Sequence, residues 1–138
     1  LSKIDTKDPN TKAVLAPIQT LGTISKVQKE IIFNTLQESI SIEFNLESQD
    51  QFEKAQEAAF QEMDADQFTE DQCIMLIKEY LQVENFFIFK ILSEDAFIQL
   101  SLTKIDINGK KDVRNSICNG CNLVQINNKI RDLISKFL

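Results

Sequence analysis

Glu84-Asn85-Phe86-Phe87-Ile88-Phe89-Lys90-Ile91-Leu92, followed after four residues by Phe97-Ile98-Gln99-Leu100-Ser101-Leu102-Thr103-Lys104-Ile105-Asp106-Ile107-Asn108-Gly109, decides how this 138-residue chain is read. Both stretches are rich in β-branched and aromatic residues, which favour strands. Asn108-Gly109 is a strong two-residue hairpin signal, and Leu100, Leu102, Ile105 and Ile107 lead into it. Against a hairpin, Lys110-Lys111-Asp112-Val113 makes a poor returning strand, and Phe86, Phe89, Lys90 and Ser93 keep helical spacing. The segment is therefore read as helix, with a β-hairpin around residues 97–113 as the alternative. The fold class that follows is mainly α, a single bundle of about five or six helices.

The flanks support helices. Val14, Leu15, Ile18 and Leu21 fall on one helical face, Gly22 is placed to stop that helix, and Pro17 confines where it starts. Ser25 can cap a helix to about Leu46 through Ile31, Ile32, Leu36, Ile40 and Phe44, although Ile40, Ile42, Phe44 and Leu46 also alternate as a strand would. Ser48-Gln49-Asp50 offers the cap of a helix carrying Phe52, Ala55, Ala59, Phe60 and Met63, and Thr69-Glu70-Asp71-Gln72 is a capping box. Leu123, Ile126, Ile130, Leu133, Ile134 and Phe137 form the stripe of a last helix. The organisation expected is a flexible lead-in over residues 1–12, a helical bundle over 13–112, and a linker with an amphipathic helix over 113–138.

Composition narrows the chemistry. There is no His and no Trp, which removes His-based nucleophilic systems and His metal ligands. Three scattered glycines, Gly22, Gly109 and Gly120, build neither a phosphate loop nor a dinucleotide fingerprint. Asp64, Asp66, Glu70 and Asp71 lack the glycine and terminal Glu of a calcium loop, and three cysteines without His are a poor zinc set. No cofactor or metal is expected. Glu84, Glu94 and Lys90 sit beside aromatic residues, yet nothing singles out a catalytic pair. Net charge is −6, from residues 37–99 at −12 between basic ends of +2 and +4. That acidic middle disfavours nucleic acid and suits a basic protein partner.

Cys118-Asn119-Gly120-Cys121 is a CxxC, but no strand is read ahead of it, so reduced, incidental thiols are expected. They imply a reducing intracellular compartment. No apolar run is long enough to span a membrane. Leu1-Ser2-Lys3-Ile4-Asp5 lacks the layout of a signal peptide, and with no initial Met a processed organellar form stays open.

Glu84-Asn85-Phe86-Phe87-Ile88-Phe89-Lys90-Ile91-Leu92 also resembles the acidic-Phe-x-x-Phe-Lys-hydrophobic signature of BART-like domains, helical modules that bind Arf-like GTPases in ciliary proteins. Gln49-Asp50-Gln51-Phe52-Glu53-Lys54-Ala55 is similar to the helix start that precedes it in that family, so the resemblance covers at most residues 25–109. It implies a bundle in which Phe86, Phe89 and Lys90 are structural, and a cytoplasmic or ciliary setting. The function expected is a non-enzymatic protein-interaction module, a GTPase-binding or ciliary adaptor. Alternatives are a structural subunit of a large assembly and a small carboxylate- or CxxC-dependent enzyme. The residues expected to meet a partner are Val14, Leu15, Ile18, Leu21, Phe87, Ile126, Ile130 and Phe137.

Overall fold

A computed structural model describes residues 11–63 and 69–137. Its elements run β1 (Lys12–Leu15), β2 (Gln19–Gly22), α1 (Lys26–Ser41), β3 (Asn45–Leu46), α2 (Gln49–Glu62), α3 (Glu70–Leu81), β4 (Asn85–Glu94), β5 (Phe97–Ile105), β6 (Lys111–Asn119) and α4 (Leu123–Ser135). This is an α/β fold built on a mixed sheet, and it overturns the mainly α bundle.

The correction centres on β4. Phe86, Phe87, Ile88 and Phe89 are all buried, which a strand achieves only when both faces of the sheet are covered. Phe87, Phe89 and Ile91 point into a core with α1 and α4, through Ile32, Leu36, Ile40, Ile126, Ile130 and Leu133. Phe86 and Ile88 point the other way, onto Phe52 and Ala55 of α2 and Ile74 and Ile77 of α3. The helical spacing of Phe86, Phe89 and Lys90 is thus a coincidence within a doubly buried strand. A short, continuous apolar run has no period that separates these readings.

Sheet order is β3-β1-β4-β5-β6, with β2 also on β4. β1 and β2 both run parallel to β4 along one edge, while β5 and β6 follow in antiparallel steps. Residues 13–21, expected as a helix, are therefore two short strands interrupted at Ala16-Pro17-Ile18, where proline cannot donate to the ladder. The Ala16 amide still donates to the Phe87 carbonyl at 3.0 Å. Gly22 does not stop a helix. It has φ +100°, and a Cβ there would collide with the Ser93 carbonyl.

The hairpin through Asn108-Gly109 joins β5 to β6, and β6 runs through the boundary expected at 112/113. Asp106 holds the turn: its Oδ1 accepts the amides of Asn108 and Lys110, each at 2.9 Å. Those bonds, Lys110 first, lower its carboxyl pKa. The flexible lead-in falls mostly on residues 1–10, which lie outside the described residues. The helices keep their sequence-encoded caps. Ser25, Ser48, Thr69 and Asn122 accept the amides of Gln28, Gln51, Gln72 and Gln125; the full capping box forms at Ser25 and Asn122, while at Thr69, where the sequence predicts one, the bond that forms is the one to the Thr69 hydroxyl. α1 ends at Ser41, short of the expected Leu46, and Asn45–Leu46 pairs with β1 instead.

Cys118 and Cys121 form a disulfide with Cα atoms 5.8 Å apart. It joins the end of β6 to the residue before the α4 cap, so the CxxC does follow a strand and precede a helix. The expectation of reduced thiols falls with it.

Two outcomes follow. Phe87→Ala lowers stability in urea unfolding by about 3–5 kcal/mol, the loss typical of a fully buried Phe, whereas Phe97→Ala, at a residue 42% exposed, costs less than about 1 kcal/mol. Replacing both Cys118 and Cys121 by Ser costs about 2 kcal/mol by the loop-entropy argument and leaves the circular dichroism spectrum unchanged.

Candidate functional site: the open half of the sheet

The burial of β4 changes at Lys90. Ile91 stays buried, but Lys90 and Leu92 reach solvent, because α2 and α3 cover only the first half of their face of the sheet. Beyond them lies an uncovered β surface. Cross-strand register defines its rows. Leu21, Leu92, Gln99 and Ile117 form one row across β2, β4, β5 and β6; Gln19, Lys90, Ser101 and Asn115 form the next; Thr103 and Val113 lead toward the covered end. Phe97 sits on the same face at the far end of β5.

This face is apolar to an unusual degree. Of thirteen exposed large hydrophobic side chains among the described residues, five gather on it: Leu21 at 69%, Ile117 at 57%, Val113 at 49%, Phe97 at 42% and Leu92 at 40% exposure. Scattered single apolar residues on a surface are ordinary, whereas a contiguous patch marks a contact site. A depression of about 580 Å³ lies at its end, lined by Leu21, Leu92, Phe97, Glu94 and Asp95. The acids give the apolar rows a negative rim.

Of the eight residues expected to meet a partner, Leu21 lies in this face. Val14, Leu15, Ile18, Phe87, Ile126 and Ile130 are buried in the two cores. Phe87 is held edge-on by Phe44 at 5.4 Å and Phe137 at 6.3 Å. Phe137 is half-buried, with the cations of Lys104 and Arg114 about 6 Å from its ring. Leu92, Phe97, Val113 and Ile117 were not anticipated. Their signal is the alternation from Lys90 onward, which shows only once the segment is read as strand.

Elsewhere the chemistry is structural. Burial, and after it Glu70, raises the Cys73 thiol pKa, which opposes thiolate formation. Burial lowers the pKa of Lys78, whose ammonium donates to the Asp106 carbonyl. Among the described residues no group of three His, Cys, Asp or Glu side chains is placed to hold a metal, and no helix is long and apolar enough to cross a membrane. Asp64 and Asp66, half of the weighed calcium set, lie outside the described residues. A second cleft of about 390 Å³ opens between α2, α3 and the β1–β2 link, over Phe52, Ile74, Ile77, Phe86 and Ile88.

No protein-family profile and no curated protein sequence matches the chain. Solved structures do resemble it in fold. The LpoB C-terminal domain from Escherichia coli has a TM-score of 0.61 at 11% identity, over 86% of this chain and 87% of that one. The same domain from Salmonella enterica has 0.58 at 11%, over 80% and 83%. Lipoprotein GNA1162 from Neisseria meningitidis has 0.55 at 8%, over 92% and 96%. At these identities the likeness shows the fold. With the sheet, it overturns the resemblance to BART-like domains. The GTPase-binding and ciliary reading that came with that resemblance falls too. The cytoplasmic or ciliary location is withdrawn as well, since it rested on reduced thiols and on that family, while the fold is that of bacterial domains including a lipoprotein.

Because the open face takes no part in either core, Leu92→Ser and Ile117→Ser each shift the free energy of unfolding by no more than about 0.5 kcal/mol, as urea titration will read.

Proposed function

We propose that this chain is a non-enzymatic protein-binding domain that receives a partner protein on the open half of its sheet. The observation that carries the reading is the gathering of Leu21, Leu92, Phe97, Val113 and Ile117 on one face that no helix covers. Apolar rows of this kind take large aromatic side chains such as Tyr, Trp or Phe as anchors, while Lys90, Ser101 and Asn115 offer polar contacts between them. Glu94 and Asp95 at the rim, with Glu70 and Asp71 at the start of α3, favour a partner with cations around its anchors. The likeness in fold to the LpoB domains and to lipoprotein GNA1162 supports a setting at the bacterial cell envelope. The Cys118–Cys121 disulfide suits an oxidising compartment.

The test places a photo-crosslinking amino acid at Leu21 or Leu92 in the native host, with Val27 on α1, 66% exposed, as the control position. One discrete protein adduct from both sheet positions and none from Val27 is expected. Adducts that are absent, or equal at all three positions, would sink the docking face.

A further inference from the structure

The open face ends at a strand edge with its own chemistry. The Asp106 amide donates to the Lys110 carbonyl at 3.0 Å, and the Gly120 amide to the Ala96 carbonyl at 2.7 Å. Antiparallel bonding alternates, so between these two points residues 112, 114, 116 and 118 exchange bonds with β5. The amides and carbonyls of Lys111, Val113, Asn115, Ile117 and Asn119 therefore point away from the sheet, and no described strand pairs with them.

Long edges are normally guarded by proline, bulges, unpaired charge or shortness. The opposite side of the sheet ends in β3, two residues long, and β2, four. β6 is nine residues, holds no proline and keeps one-to-one register with β5 throughout. Its two cations are already engaged within the chain: Lys111 with Asp71 at 3.0 Å, Arg114 with Asp112 at 3.2 Å.

We infer that β6 pairs antiparallel with β6 of a second copy of this chain, about a two-fold axis at Asn115, joining the two sheets into one. Asn115 is the midpoint of the strand, so this register uses all nine residues and forms about ten new main-chain bonds. It sets Val113 beside the second copy's Ile117, twice, so that each β-branched pair packs side against side along the sheet while its outer surface stays on the open face. Lys111 meets Asn119, Asp112 meets Cys118 and Arg114 meets Ser116, so no like charges stand directly opposite. This goes beyond the docking reading, because pairing rests on the outward main chain of β6 and docking on the side chains of the face; Val113 and Ile117 belong to both, and Asn115→Pro separates the two by breaking the pairing alone.

Sedimentation of the full chain is expected to show a concentration-dependent species of twice the 15.8 kDa protomer mass. Asn115→Pro removes an outward amide and no bond to β5, so it should give a folded monomer. Val113→Lys/Ile117→Lys turns both apolar pairs into Lys–Lys pairs and should weaken the dimer at least about tenfold. On mild oxidation, Asn115→Cys should cross-link to itself across the axis, while a Val27→Cys control on α1 stays monomeric. A chain that is monomeric at every concentration overturns the inference, even if β6 captures an extended peptide of another protein. So does a dimer that survives both the proline and the lysine variants, or an Asn115→Cys protein that cross-links no better than the control.

Discussion

Phe87 meets Phe44 and Phe137 on one face of the sheet, and one residue earlier Phe86 meets Phe52 on the other, at 6.2 Å between ring centroids. A strand with large aromatics on both faces has to be central. It needs a helix layer above and below to exclude water, and a neighbour on each edge to satisfy its backbone. The rest of the fold supplies these. β1 and β2 take one edge of β4, β5 takes the other, α1 and α4 form one layer, and α2 and α3 form the second. The constraint then lapses at Lys90, where one face turns to solvent. The uncovered half of the sheet is the direct consequence of where this double burial stops.

Features written locally were legible. Ser25, Ser48 and Thr69 cap the helices as their spacing implies, because an N-cap depends on three or four consecutive residues. The stripe from Leu123 to Ile134 is a helix for the same reason, each apolar residue falling on one side of a short, self-contained element. Strand identity was less legible. Phe86 to Phe89 form an unbroken apolar run, which satisfies a buried strand and a buried helix alike, and Val14 to Leu21 has the same defect at shorter length. Residues 110–113 are more polar than alternation against a core allows. An edge strand such as β6 buries only Cys118 fully, so its composition follows solvent. The open face was the least legible part, since its rows join residues as distant as Leu21 and Ile117 that only sheet register brings side by side.

The last strand also decides the state of the CxxC cysteines. Without a strand ahead of it, Cys118-Asn119-Gly120-Cys121 is only a pair of neighbouring thiols. Once β6 ends at Asn119 and α4 begins at Leu123, Cys118 and Cys121 flank the sharp turn by which the chain leaves the edge and passes beneath the sheet. Gly120 makes that turn at φ +71°. The disulfide pins it, with Cys118 buried, so α4 starts from a fixed point before laying Ile126, Ile130 and Leu133 under Leu100 and Leu102.

Charge separates the two exposed surfaces. Seven of the fifteen acids of the −12 middle segment belong to α2 and α3, where Asp50, Glu53, Glu57, Glu62, Glu70, Asp71 and Glu79 face solvent beside the open half of the sheet. If two copies stacked face to face, these helices would be driven into each other's field, so like-charge repulsion opposes that use of the apolar rows. Joined edge to edge about an axis through Asn115, the copies keep their acidic helices on the same side of one continuous sheet, spaced apart by the open halves themselves. Self-association at the edge and repulsion at the face act together: the edge can be consumed by a second copy while the apolar rows stay open to a partner of opposite charge.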